Sequence, residues 1–459
     1  MSEPTARPRP PSVERVLARV RDRLDGPREA AAVLAVARDV VDAERERLHG
    51  DGAAPSDLDA LAAAVVRRLD GFAGTLAPTP LAVINATGVI VHTNLGRAPW
   101  PAAAIEAVAG VATSYQLLEL DRATGRRGPR ARIAEDHLVA LTGAEDAFVT
   151  NNNAAALVLA VGLAGREGVV VSRGELVEIG GGVRIPDIIR RAGAKPIEVG
   201  TTNRTRAADF EAPLVEGRAK AVLRVHPSNF TMSGFIESPD PVAVAELAHH
   251  HGAIVIDDLG SGALLDTAPY GLTHEPLPSE RLTAGSDVVT FSGDKLVGGP
   301  QAGLVVGRAD LIGRMRRDPL ARAMRPDKVT MAGVALTLGL YRAGRATTDI
   351  PVWRMIAAPL DALRTRAESL RRRLVDTPEV VELRSTVGGG SLPGETLPSV
   401  GLALVGRTPT RVLAALRGAE PPVIGRIEDG RVVLDLRTVD PEQDRDLGEA
   451  VERALAAGS

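Results

Sequence analysis

The chain has 459 residues, 44% hydrophobic and 25% charged, with a formal net charge of −3. This is ordinary globular composition with length for two or three domains, and its charge gives no global pull toward nucleic acid or membrane, although a local basic patch is not excluded. The absence of cysteine rules out disulfides, thiolate nucleophiles, Cys-ligated zinc and iron–sulfur clusters, and it fits a cytoplasmic protein.

In chain order, residues 1–11, "MSEPTARPRPP", carry charges and prolines where a signal peptide needs an apolar region, and they read as a disordered lead-in. No run of about 18 apolar residues suggests a membrane-spanning helix. Residues 12–75 read as a separate helical domain. Ser12 is a plausible N-cap, and Val13, Val16, Leu17, Val20 and Leu24 follow at helical spacing. Residues 1–80 hold 12 arginines and no lysine against 13 acidic residues, so this part is about neutral.

Residues 76–100 break the pattern and read as a linker with an extended strand and a polar loop. From 101 to about 335, apolar strands alternate with helices. The strands are expected at 146–150, 168–172, 195–199, 221–225, 253–257, 287–291 and 302–307, which implies a mostly parallel sheet covered on both faces. Residues 336–459 read as a smaller α/β domain.

In open α/β sheets the ligand lies beyond the carboxyl ends of the strands. The strand ending at Thr150 is followed by "NNNAAA". There Asn152, Asn153 and Ala154, at the start of a helix, suit a phosphate; an ordinary N-cap is the alternative. In "RVHPSNF", at the end of the strand expected at 221–225, His226 and Asn229 can point to the same crevice; a satisfied turn is the alternative. Asp257 ends "AIVID", where a carboxylate needs a partner: a salt bridge, or a cationic ring nitrogen. Lys295 follows Asp294 in "TFSGDKLVGGPQAG", and it is one of only four lysines. A lysine desolvated at a strand end loses its proton and becomes a nucleophile, whereas arginine stays protonated and forms no imine. The histidines at 249–251 sit at a helix end and read as surface, with no metal expected.

A phosphate cradle, a carboxylate and an imine-forming lysine in this order fit pyridoxal phosphate. The order matches the aspartate-aminotransferase-like fold, fold type I. The stretches "INATGVIVHTNLGRAPW", "TNNNAAA", "SRGELVEIGGGVRIPDI", "HPSNF", "IDDLGSG" and "FSGDKLVGGPQAG" further resemble the bacterial selenocysteine synthases, from about residue 80 to past 330.

That resemblance implies conversion of seryl-tRNA(Sec) to selenocysteinyl-tRNA(Sec) with selenophosphate, through an imine at Lys295 and an aminoacrylyl-tRNA intermediate. It implies Arg97, Arg322 and Arg325 as anion-binding residues, a helical domain that grips the tRNA, and a homodecamer of five dimers. Asp294 either assists Lys295 or is structural. Two rival readings stand beside it. One is a pyridoxal phosphate lyase acting on a small amino acid or amino-sugar acid, and the other is a non-catalytic tRNA-binding scaffold.

Overall fold

A computed structural model describes residues 9–26, 28–50, 54–73, 82–128, 132–179, 182–228, 230–374, 378–404 and 408–457. The chain forms two compact units, Met1–Ala82 and Val83–Ser459. Among the described residues, no helix is long and apolar enough to cross a membrane.

The first unit contains helices α1 (Val13–Arg21), α2 (Ala30–Gly50) and α3 (Leu58–Ala73). The Ser12 hydroxyl accepts from the Arg15 amide and caps α1. The apolar stripes meet in one core that includes Val16, Val20, Val36, Val40, Leu61, Val65 and Leu69. Arg19 and Arg23 both bind Asp59 on the surface between α1 and α3.

The second unit is organised by a seven-stranded sheet. Its strands are β1 (Asp146–Thr150), β2 (Gly168–Ser172), β3 (Lys195–Val199), β4 (Ala219–Val225), β5 (Ile254–Gly260), β6 (Val288–Ser292) and β7 (Gly303–Gly307). Their order is β1-β7-β6-β5-β4-β2-β3. Only β7 runs antiparallel to its neighbours. Every residue of β2, β6 and β7 is buried, so these strands are mostly apolar rather than alternating, with Ser172, Thr290 and Ser292 buried among the apolar residues.

After α4 (Ala102–Ala112) and α5 (Ile133–Thr142), one face of the sheet packs on α6 (Asn153–Gly162), through Leu157, Leu223, Val225 and Ile256. A second core joins Phe291 and Leu304 to Leu338, Tyr341 and Trp353. The helix α7 (Lys328–Arg342) runs unbroken across the boundary expected at 335/336. Its residues Val334, Ala335 and Leu338 are all buried in this core, which leaves no exposed linker there.

The C-terminal part builds a four-stranded antiparallel sheet from β8 (Glu379–Gly388), β9 (Ser391–Leu404), β10 (Arg426–Glu428) and β11 (Arg431–Asp435), in the order β8-β9-β11-β10. Helices α8 (Leu360–Arg373) and α9 (Asp444–Ala457) share a third core with it. The segment expected as a linker is tied to this part: Ile84–Asn85 pairs in parallel with Val423–Ile424. Residues 76–81 of that segment, and most of the expected lead-in, lie outside the described residues.

Candidate active site

Lys295 lies in the turn between β6 and β7. The turn is closed by the Gly293 amide donating to the Ala302 carbonyl at 2.9 Å and the Gly298 amide donating to Lys295 at 3.0 Å. Two buried aromatic residues hold the next carbonyls. Trp353 Nε1 donates to Leu296 at 2.8 Å, and Tyr341 Oη lies 3.0 Å from the carbonyls of both Leu296 and Val297. Lys295 is 8% exposed, and its Nζ makes no hydrogen bond among the described residues. Burial pushes its amine below the ordinary lysine range, and the Arg97 guanidinium pushes it further in the same direction.

The Lys295 side chain lines a cavity of about 400 Å³, together with Arg97, Asn152, Asn153, Ala154, His226, Asp258 and Asp294. The elements aim these groups in different ways. Asn152 caps α6 by accepting from the Ala155 amide at 2.9 Å, so the first turn of that helix opens on the cavity. The start of β7 passes close beneath: a Cβ at Gly303 would sit 2.2 Å from the Asn152 carbonyl, which only glycine avoids. Arg97 occupies a left-handed turn at φ 67°, which points its guanidinium at Asp294, 2.9 Å and 3.1 Å from the two carboxylate oxygens.

Asp257 and Asp258 diverge because neighbours on a strand face opposite sides. Asp258 faces the lysine cavity and is satisfied, accepting from Asn153 Nδ2 at 2.8 Å and Thr290 Oγ1 at 3.0 Å. Asp257 faces an adjoining cavity lined by Glu175, Arg224 and Arg281; Val225 and His226 line both. Its own partners are loose, with Ser286 Oγ at 3.4 Å and Arg281 Nε at 3.7 Å. Burial drives both carboxyls upward in pKa.

The remaining expected residues fall elsewhere. Arg322 and Arg325 line a third cavity of about 310 Å³ with Arg132 and Arg316, and Arg325 pairs with Glu119 at 3.0 Å. Within this chain they do not join Lys295. Asn229 lies outside the described residues. His249, the first of the three consecutive histidines, binds Asp287 through Nε2 at 2.9 Å.

Sequence reasoning missed the tip of the β8–β9 hairpin. Gly389 and Gly390 line the lysine cavity from the C-terminal sheet, and a Cβ at Gly390 would lie 3.3 Å from Lys295 Nζ. The run Gly388–Gly390, all at positive φ, was the available signal. Asp258 stood in the quoted "IDDLGSG" but was not singled out.

The family model for L-seryl-tRNA selenium transferase matches residues 83–440. The chain belongs to this family. The L-seryl-tRNA(Sec) selenium transferase of Hyphomonas neptunium is 46% identical over 79% of this chain and 80% of its own length. That of Carboxydothermus hydrogenoformans is 44% identical over 82% of each.

Among solved structures, D-glucosaminate-6-phosphate ammonia-lyase superposes with a TM-score of 0.59 at 22% identity, covering 83% of this chain and 97% of its own. That likeness places the second unit in the aspartate-aminotransferase-like fold. The site fits the pyridoxal phosphate of that fold by its own geometry. The lysine amine is buried and unbound, the Oδ1 of Asn153 is buried without a partner beside the helix start, and the buried carboxylate that shares this cavity is Asp258, not Asp257 as expected, because Asp257 points to the opposite side of its strand.

Proposed function

We propose that this chain converts L-seryl-tRNA(Sec) to L-selenocysteinyl-tRNA(Sec), with pyridoxal phosphate as cofactor and selenophosphate as selenium donor. The observation that carries the reading is the buried, unbound amine of Lys295 facing the start of α6, in a chain of the L-seryl-tRNA selenium transferase family. Bound there, the cofactor supplies an electron sink for the serine α-carbon.

The chain's own residues supply the rest. Asn152, Asn153 and Ala154, at the helix start, hold the phosphate. Lys295 would hold the cofactor through its neutral amine and, as a free amine, would move the proton at the serine α-carbon. Asp258, which faces the lysine cavity and is held there by Asn153 and Thr290, is the carboxylate for the ring nitrogen; Asp257, expected in that role, points to the other side of its strand into the adjoining cavity. His226 and Asn229 border the ring. Asp294 holds Arg97, which binds the selenium-donor anion as a planar fork. Arg322 and Arg325 serve that anion where a second copy of the chain brings them to the lysine cavity, which gives a homodecamer of five dimers a catalytic reason. The helical first unit holds the tRNA. The cytoplasm, where aminoacyl-tRNA is consumed, is the place of action.

The deciding experiment follows the cofactor absorption band of the purified holoenzyme on adding seryl-tRNA(Sec) or free serine. A change with the charged tRNA alone supports the reading. A change with free serine alone would favour a lyase, and no cofactor band at all would leave a tRNA-binding scaffold.

A further inference from the structure

The third cavity, about 310 Å³, holds a buried acid, Glu135, among its arginines. Glu135 lies in the first turn of α5 and is 8% exposed. A glutamate at that position ordinarily bends back to the amide at the N-cap. Here the N-cap, Arg132, takes part in no side-chain capping bond. Glu135 Oε2 is buried without a partner, and among the described residues no arginine pairs with the carboxyl. The arginines around it are engaged elsewhere. Arg132 and Arg316 both bind Asp146, and Arg325 binds Glu119. Arg322 makes no ion pair among the described residues.

A buried carboxyl without a partner is destabilising, so its presence calls for a use. Four guanidinium groups line the same cavity, and the other acid on its wall is Asp318. Asp318 is engaged in capping, accepting from the Leu320 amide at 2.8 Å. The wall is therefore positive and suits an anion. An ionised Glu135 would repel a bare anion there, but it would attract one that shares a proton with it. Burial pushes the Glu135 carboxyl upward, and Asp136 adds to the push against the opposing pull of Arg132 and Arg316. A phosphorus oxyanion titrates near neutral pH and can bring a proton of its own. Sulfate brings none.

We propose that Glu135 sets the specificity of the arginine cavity by sharing one proton with the bound anion, which selects a phosphorus oxyanion, such as selenophosphate or phosphate, over sulfate. This rests on Arg322 and Arg325 as the anion site of the proposed reaction. The shared proton lies between a carboxyl oxygen and an anion oxygen. Either the acid donates to a dianion or the carboxylate accepts from a monoanion, and the contact is the same. Sulfate must find Glu135 already protonated; otherwise two bare oxygens face each other.

The test uses full-length protein loaded with pyridoxal phosphate, so that the cofactor's own phosphate site is filled. Binding of inorganic phosphate and of sulfate is measured by isothermal titration calorimetry at mildly alkaline pH and constant ionic strength. Wild type is expected to bind phosphate about tenfold tighter than sulfate, the worth of a charge-assisted hydrogen bond. Glu135→Gln keeps the shape and offers an amide donor to either anion, so it should bring the two affinities together. The double variant Arg322→Ala/Arg325→Ala should lose both anions. Equal affinities in wild type would overturn the role of Glu135, whether or not the glutamine variant folds. So would a wild-type ratio kept in Glu135→Gln. Binding of both anions unchanged in the double arginine variant, or absent from wild type, would remove the anion site itself, and this proposal with it.

Discussion

Arg97 and Asp294 are 197 positions apart in sequence, yet the Arg97 guanidinium lies 2.9 Å from the Asp294 carboxylate. The contact joins the loop that follows Val83–Val91 to the turn that carries Lys295. It places a fixed positive charge beside the one amine that must lose its proton. Beside the anion binding proposed above, this contact gives Arg97 a second proposed job, tuning Lys295.

The first job predicts a split phenotype. In Arg97→Ala the absorption change on adding seryl-tRNA(Sec) should persist, while selenocysteinyl-tRNA(Sec) formation falls at least about tenfold, the worth of a lost charge-assisted pair. Single-turnover assays of the two half-reactions check it. An unchanged rate of product formation would remove Arg97 from the selenium step.

The second job is visible in pH. Lys295 has its amine lowered by burial and by Arg97, so between its folded value and the ordinary lysine value the unfolded chain binds more protons. Stability of the cofactor-free protein should then rise with pH through that window, and the cost of burying the charge is fully present below it. Melting curves against pH for wild type and Lys295→Met give the difference directly. The methionine variant should lose this rise, and Lys295→Ala should abolish turnover.

Trp353 and Tyr341 predict a loss of order at a distance. Trp353 is fully buried, and its indole N–H holds the Leu296 carbonyl. Trp353→Phe removes the indole donor from that carbonyl, leaving only the Tyr341 hydroxyl beside it, and should cost about 1 kcal/mol, measured by denaturant unfolding. The same variant should retain pyridoxal phosphate less tightly, because the turn that carries Lys295 is less constrained. Full stability with normal cofactor retention would show that the turn holds itself.

Gly390 predicts obstruction. A side chain there would meet Lys295 Nζ at 3.3 Å on a backbone at positive φ. Gly390→Val should block attachment of the cofactor to Lys295 while leaving the fold intact, since the hairpin tip borders a cavity. Loss of the absorption band with unchanged far-ultraviolet circular dichroism is the expected pair of results. A normal band would place the hairpin tip farther from the lysine in solution.

The seven strands of the large sheet were legible because their pattern is local. A strand covered on both faces is mostly apolar along its length, and polar residues or glycine follow each run, such as Asn151 after β1, Gly200 after β3 and Gly293 after β6. Lys295 stood out for the same kind of reason, as a rare lysine at a strand end among glycines. The helix start after Thr150 was equally readable, since Asn152 needs only its own next turn to act as a cap. All of these depend on residues within a few positions of one another.

What only the tertiary structure decided depends on chain closure. Whether Asp257 or Asp258 faces the lysine is set by which face of β5 packs on α6, and two adjacent aspartates look alike in sequence. The Arg97–Asp294 contact, the cavity shared by Glu135 and Arg322 and the Gly390 tip each bring together segments from different elements, and no short-range pattern encodes that meeting. Arg322 and Arg325 show the converse. They are three positions apart and line one cavity, but that spacing cannot say that the cavity lies away from Lys295 within the chain. Local periodicity selects the elements, and long-range packing selects which side chains share a site.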